Sequence, residues 1–236
     1  MDLSQLKDKV VVIIGASRGI GRATATMLHE KGTKLVLGSR STEELQRQFV
    51  HETVLTLQLD VSDEESVKQF VTKCTERFGH IDVLINAAGF GTFAPILDSE
   101  TKDFDHMMSV NLRGTYLSCK YFGQQMKKQQ EGQILNLVSI AGSTALPGNG
   151  GYSASKFGVL GLTKVLQAEL RREGIRITSV LPGSVDSSFW DKVDFDIDKK
   201  NMIPTQSIAE HIVFLLCQPK QSVVDEITIM PPMGIL

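Results

Sequence analysis

Apolar residues in this chain fall into short runs, separated by longer stretches in which they recur every three or four positions. The runs are Val10 to Ile14, Leu35 to Leu37, Val54 to Leu59, Ile81 to Ile85, Ile134 to Val138, Ile175 to Leu181 and Ile227 to Met230. Runs of this length without strict alternation suit strands buried on both faces. The clearest helical stretch follows Ser62, which makes a capping-box pattern with Glu65. Val67, Phe70, Val71, Cys74 and Phe78 then share one stripe, and Gly79 ends it. Another helix is expected from about Phe157 to Leu170, carrying Leu160, Leu162, Val165 and Leu166. Its close in Arg171, Arg172 and Gly174 suits a helix C-terminus.

Strand and helix therefore alternate through most of the chain, which implies right-handed βαβ crossovers. The expected fold is α/β: a Rossmann-type doubly wound parallel sheet of about seven strands with helices on both faces, in one domain spanning 1–236. The poorly patterned stretch 187–203 mixes Phe189, Trp190, Phe195 and Met202 with Asp191, Asp194, Asp196 and Asp198. It reads equally as a substrate lid over a cleft or as a solvated loop with anchoring aromatics.

Composition adds little to this picture but excludes much. With 236 residues, 42% hydrophobic and 22% charged, the chain has ordinary globular content. A net charge of −2 and the lack of a long Lys/Arg block argue against a nucleic-acid partner. Cys74, Cys119 and Cys217 are odd in number and far apart, so neither a disulfide framework nor a metal site is expected, and a reducing, cytoplasmic setting fits. The run from Val10 to Ile14 is too short to span a bilayer and leads into glycines, so no membrane association is expected.

Gly15-Ala16-Ser17-Arg18-Gly19-Ile20-Gly21 follows the first strand and opens the first helix, the context in which a glycine pattern signals a dinucleotide. Glycines let the backbone approach a pyrophosphate, and the helix N-terminus offers free amides. After the second strand come Ser39 and Arg40, where many dinucleotide folds place an acid for the ribose 2′-hydroxyl. A guanidinium there, with Arg18 as a second, can pair with a 2′-phosphate, so NADP(H) is expected over NAD(H). The bland alternative is an Arg40 that merely faces solvent at a strand end.

Tyr152 and Lys156 stand four residues apart, with Ser139 upstream. On a helix, i and i+4 share one face, so a phenol would sit beside an ammonium. Bringing a phenol of pKa ~10 to near-neutral pH takes about 3 units, or roughly 4 kcal/mol. A unit charge about 4 Å away supplies roughly that much at an effective dielectric of about 20. The pair is thus the right size for a tuned acid, although such spacing also occurs in plain packing.

Taken together, the glycine loop, Asn86-Ala87-Ala88-Gly89, Asn111, Ser139, the Tyr152 and Lys156 pair, and Pro182-Gly183 make the chain resemble the short-chain dehydrogenases/reductases over nearly its whole length. The resemblance implies a catalytic set of Asn111, Ser139, Tyr152 and Lys156. Tyr152 would protonate a carbonyl oxygen that Ser139 holds. Lys156 would lower the Tyr152 pKa and grip the nicotinamide ribose, and Asn111 would anchor a water leading to Lys156. Cofactor contacts would come from Gly15, Ser17, Arg18, Gly19, Ile20, Gly21, Ser39 and Arg40. Asp60 and Val61 would meet adenine, and Asn86, Ala87, Ala88 and Gly89 would border the ribose. Pro182, Gly183, Val185 and Ser187 would cradle the carboxamide. A homodimer or homotetramer follows from the same resemblance.

Two departures matter. Ile14 replaces the usual Thr before the first glycine, and the chain ends Val224-Asp225-Glu226-Ile227-Thr228-Ile229-Met230-Pro231-Pro232 instead of with the Asp-Gly-Gly of fatty-acid-elongating relatives. The expected activity is therefore reduction of small to medium ketones or aldehydes. A 3-oxoacyl-thioester reductase is the alternative, and a nucleotide-binding regulator without turnover a further one. Phe90, Phe93, Pro147, Phe189, Trp190 and Met202 are expected around a mostly apolar substrate.

Overall fold

Every residue of the first apolar run is buried, and the run forms strand β1 (Val10–Ile14). Its side chains divide by the period of two that a strand imposes: Val11 and Ile13 enter one core, and Val10, Val12 and Ile14 the other. A strand feeding two cores has no solvent-facing position, and this is why the sequence shows runs in place of alternation. The structure, a computed structural model, describes residues 2–191 and 199–235.

The other strands are β2 (Lys34–Ser39), β3 (Val54–Gln58), β4 (Val83–Asn86), β5 (Gly132–Leu137), β6 (Ile175–Pro182), the short β7 (Val185–Asp186) and β8 (Ile203–Pro204), and β9 (Glu226–Ile229). Seven of them form one parallel sheet in the order β3-β2-β1-β4-β5-β6-β9, and β7 pairs with β8. The chain winds outward from β1 to β3, then crosses back to β4. The crevice beyond the carboxyl ends of β1 and β4 is the topological switch point, where folds of this kind take ligands.

Seven helices cover the sheet: α1 (Gly19–Glu30), α2 (Glu43–Gln48), α3 (Glu64–Phe78), α4 (Thr101–Met107), α5 (Gly114–Gln129), α6 (Gly150–Leu170) and α7 (Thr205–Leu216), counted among the described residues. Ala25 and Leu28 of α1 meet Ile208 and Ile212 of α7 in one core. Phe70 and Cys74 of α3 meet Phe122 and Met126 of α5 in the other. Between α4 and α5 lies a π-helical turn, residues 108–113, that carries the fully buried Asn111. Such turns recur at functional sites because the extra residue re-aims a side chain.

Two helix starts differ from the sequence expectation. The capping box of Ser62 and Glu65 does not form: Asp63 accepts the Glu65 amide at 3.1 Å, while the Ser62 hydroxyl donates to Asp60 at 2.6 Å. An aspartate two residues earlier offers Ser62 a local, charge-assisted partner, so the cap passes to the next residue. Helix α6 begins at Gly150, well ahead of the expected Phe157. Its first turns, Gly150 to Lys156, carry glycines and small or polar side chains around Tyr152, which hides them from an apolar-periodicity reading. Of the stretch 187–203, residues 192–198, the centre of the expected lid, lie outside the described residues. No helix among the described residues is long and apolar enough to cross a membrane.

Candidate active site

Where β1 ends, Gly15 takes φ 88°, and a side chain there would stand 2.6 Å from the Ala88 amide. Only glycine permits the loop after β1 to press against the chain leaving β4. The first turn of α1 then opens with no side-chain cap and no acidic residue. Its amides and the positive end of its dipole are left for an anion.

These features border a cavity of about 720 Å³. It is lined by Gly15, Ser17, Arg18, Gly19, Ile20, Ser39, Arg40, Asp60, Val61, Ala87, Ala88, Gly89, Ser139, Tyr152, Lys156, Pro182, Gly183, Val185 and Ser187. Three other expected site residues stand behind the wall. Gly21 is buried in α1 beneath the loop. Asn86 is buried at the end of β4, where it donates to Asn136 Oδ1 at 2.8 Å and accepts from the Ser118 hydroxyl at 2.8 Å. Asn111 donates to the Phe90 carbonyl at 2.9 Å and to Ser155 Oγ at 3.0 Å, while its Oδ1 accepts from the Phe90 amide. At the loop end of the cavity Arg18 and Arg40 are exposed and make no ion pair among the described residues. Hydrogen bonds from Ser62, with a smaller contribution from the charge of Arg40, hold the Asp60 carboxyl below its usual value.

The first two turns of α6 bring Tyr152 and Lys156 to the cavity's middle. Ser139, leaving β5, accepts the Ala141 amide at 3.1 Å, which fixes its hydroxyl at the head of a short 3₁₀ turn. Lys156 is buried, donates to the Leu137 carbonyl at 2.8 Å, and lies 5.8 Å from the centroid of the Tyr152 ring. A side chain on Gly89 would come within 3.2 Å of Asn111 Oδ1 and 3.5 Å of Lys156 Nζ, so those two polar atoms border the same point.

The electrostatics correct one expectation. At Tyr152 burial outweighs the favourable contacts and pushes the phenol up to about 12, with a hydrogen bond from Ser139 pulling the other way. Burial pushes the Lys156 amine down to about 8. The expected effect of a unit charge about 4 Å away at an effective dielectric of about 20 leaves out the enclosure of both groups, each of which is driven toward its uncharged form.

The residues present suit an NADP-type dinucleotide. The uncapped helix start and the two unpaired guanidinium groups offer anion partners at one end, and Gly89 leaves a hollow beside Lys156. Ser188 Oγ, on the cavity wall, is buried with no hydrogen-bond partner among the described residues. Sequence reasoning missed Ser188. It also missed Ser155, which accepts from Asn111 and donates to the Tyr152 carbonyl at 2.7 Å, tying the π turn to α6. Ile235 reaches the cavity from the far end of the chain. Only the position of Ser155 between Tyr152 and Lys156 could have flagged it. Phe90, Phe93, Pro147, Phe189, Trp190 and Met202 all line the cavity as expected.

Comparison with known proteins adds family context. A family model described as short chain dehydrogenase matches residues 9–197. An uncharacterized oxidoreductase of Staphylococcus aureus is 36% identical over 97% of this chain and 100% of its own. An alcohol dehydrogenase from the archaeon Thermococcus sibiricus, solved with 5-hydroxy-NADP, superposes with a TM-score of 0.89 at 33% identity, covering 98% of this chain and 99% of that one. The protein ElxO, solved with NADP bound, gives a TM-score of 0.87 at 30% identity over 95% of this chain and 98% of its own.

Proposed function

The chain belongs to the short chain dehydrogenase family, and from that membership we propose an NADP(H)-dependent oxidoreductase acting on ketones or aldehydes and the matching alcohols. One observation carries the reading: Tyr152, Ser139 and Lys156 share a single cavity with the glycine loop and the unpaired Arg18 and Arg40. Its NADP-bound structural neighbours support the choice of cofactor.

In this reading Arg18 and Arg40 hold the 2′-phosphate, the α1 amides the pyrophosphate, Asp60 and Val61 the adenine, and Pro182 to Ser187 the nicotinamide side. The cofactor, when bound, would supply the hydride that bonds to the carbonyl carbon. As that bond forms, the carbonyl π pair moves to oxygen, which takes the Tyr152 proton while the Ser139 hydroxyl holds it, and a secondary or primary alcohol results. A phenol pushed up to about 12 is fully protonated at neutral pH, as a reduction requires. Lys156, charged below about 8, stabilises the phenolate left behind. The second lone pair of Asn111 Oδ1 and Lys156 Nζ both border Gly89, which supports a relay of water protons back to Tyr152.

The three cysteines are free and buried, which supports a reducing, cytoplasmic setting. Apolar side chains left exposed on α5 and α6 support a homo-oligomer.

The test is a panel of ketones, aldehydes and 3-oxoacyl thioesters assayed with NADPH and NADH by the wild type and by Tyr152→Phe. NADPH-dependent turnover of free carbonyls is expected, falling about 10²- to 10⁴-fold in Tyr152→Phe with NADPH binding retained. A preference for thioesters selects the acyl-thioester reductase. Substantial turnover by Tyr152→Phe refutes the assigned acid, and none by the wild type points to a regulator.

A further inference from the structure

Beyond Tyr152 the cavity is walled by rings. Phe93 and Trp190 are stacked, with centroids 5.8 Å apart and planes 20° from parallel. Phe189 stands against both, 5.9 Å from Phe93 at 62° and 5.1 Å from Trp190 at 82°. Phe93 and Phe189 in turn approach the Tyr152 ring to 5.9 and 5.5 Å.

The backbone holds both sides of this wall. Trp190 Nε1 donates to the Val185 carbonyl at 2.9 Å, and the Phe189 amide donates to Ser187 Oγ at 3.3 Å. Next to Phe93, the Ala94 amide donates to the Gly148 carbonyl at 2.9 Å, in a bridge between Ala94 and Asn149. Rings fixed in this way are preorganised, so little freedom is lost when a ligand meets them. Gly91 makes the convergence possible. A side chain there would stand 2.9 Å from Phe93 Cζ, 3.0 Å from Phe189 Cζ and 3.1 Å from Tyr152 Cδ2.

Charge is distributed unevenly. The charged side chains lining the cavity among the described residues are Arg18, Arg40, Asp60 and Lys156, none of them on the ring-walled side. A charged substituent there would lose its hydration without gaining a charged partner among the described residues.

We infer that the substrate carries a neutral, flat, unsaturated ring next to its carbonyl, as in an aryl ketone, and that Phe93, Phe189 and Trp190 select it. This rests on the carbonyl-reductase reading above. Aromatic faces are negative and edges positive, so an aryl group gains offset and edge-on contacts that a saturated ring of the same outline does not.

The experiment compares kcat/KM for acetophenone and methyl cyclohexyl ketone with NADPH in the wild type, Phe93→Leu and Trp190→Phe. Taking the aryl to cyclohexyl ratio within each protein and comparing it between proteins cancels the two ketones' unequal reactivity. The ratio is expected to fall about tenfold in Phe93→Leu and to stay within about threefold in Trp190→Phe, which keeps a ring. An unchanged ratio in Phe93→Leu overturns the inference. Trp190 is the only tryptophan of the chain, so its emission follows binding without turnover. Equal affinity for 1-phenylethanol and 1-cyclohexylethanol in that titration also overturns it. A phenyl preference in binding that Phe93→Leu abolishes, with no carbonyl compound oxidising NADPH, sustains the ring selection and defeats the reductase reading.

Discussion

Lys156 holds its ammonium 5.8 Å from the centre of the Tyr152 ring, and burial drives the two groups apart on the pH scale, the amine down to about 8 and the phenol up to about 12. Between those values the phenol keeps its proton while the amine has lost its charge. Reduction needs both the proton and the charge. The reductive kcat/KM is therefore expected to be flat below about pH 8 and to fall above it, and Lys156→Arg, which stays charged, should extend the plateau. A wild-type profile still flat at pH 9.5 would exclude this origin of the charge requirement.

The same burial has a stability consequence. The Lys156 amine binds its proton up to about 8 when folded but up to its ordinary 10.5 when unfolded. Between these values the unfolded chain holds more protons, so stability rises with pH across that window, and below it the full cost of about 3 kcal/mol is present. Lys156→Met removes that cost but also loses the bond to the Leu137 carbonyl, worth about 1 kcal/mol. A net gain of about 1–3 kcal/mol is expected at pH 7, raising Tm by about 2–4 °C per kcal/mol. Melting curves at pH 7 and pH 9.5 check the sign: the gain shrinks at the higher pH. A variant less stable than the wild type at pH 7 would mean that the charge is compensated.

Much of this arrangement was legible in the chain because its signals are local. A strand feeding two cores must read as an apolar run, and Gly15 must be glycine where the loop meets Ala88. The sign of the Tyr152 shift was not legible, since it depends on enclosure by Phe93 and Phe189, which loops far apart in sequence bring to the phenol. For the same reason nothing near Asn86 announced its pairing with Asn136, the residue that faces it across β4 and β5. The start of α6 was hidden because its glycines and small or polar residues do not follow the period of a core.

Arg40 follows the last residue of β2, makes no direct ion pair among the described residues although its charge reaches Asp60, and lies at the cavity end where the adenosine half of the cofactor is proposed to lie. A guanidinium to phosphate pair there is worth about 1.5–3 kcal/mol, or roughly 10- to 150-fold in affinity. Arg40→Ser is expected to weaken NADPH binding by about that factor and to leave NADH within about threefold. Calorimetric titration with both nucleotides measures it. Equal losses for the two would show that Arg40 contacts something other than the 2′-phosphate.

Helix α6 leaves Phe157 and Val165 at 46% and 54% exposure, four residues either side of Gly161, which has nothing within 4 Å of where its side chain would stand. These positions share one helix face, so the sheet does not take up this stripe. Tyr116 on α5 is exposed to a similar extent. A stripe with a small residue at its centre lets a second helix approach closely, which suits association with another copy of the chain. Sedimentation at micromolar concentration is expected to show a dimer or tetramer. The double substitution Phe157→Glu and Val165→Glu is expected to give folded monomers, because like charges would then face each other across the contact. A monomeric wild type would leave the stripe without this role. A double variant that still assembles would move the interface elsewhere.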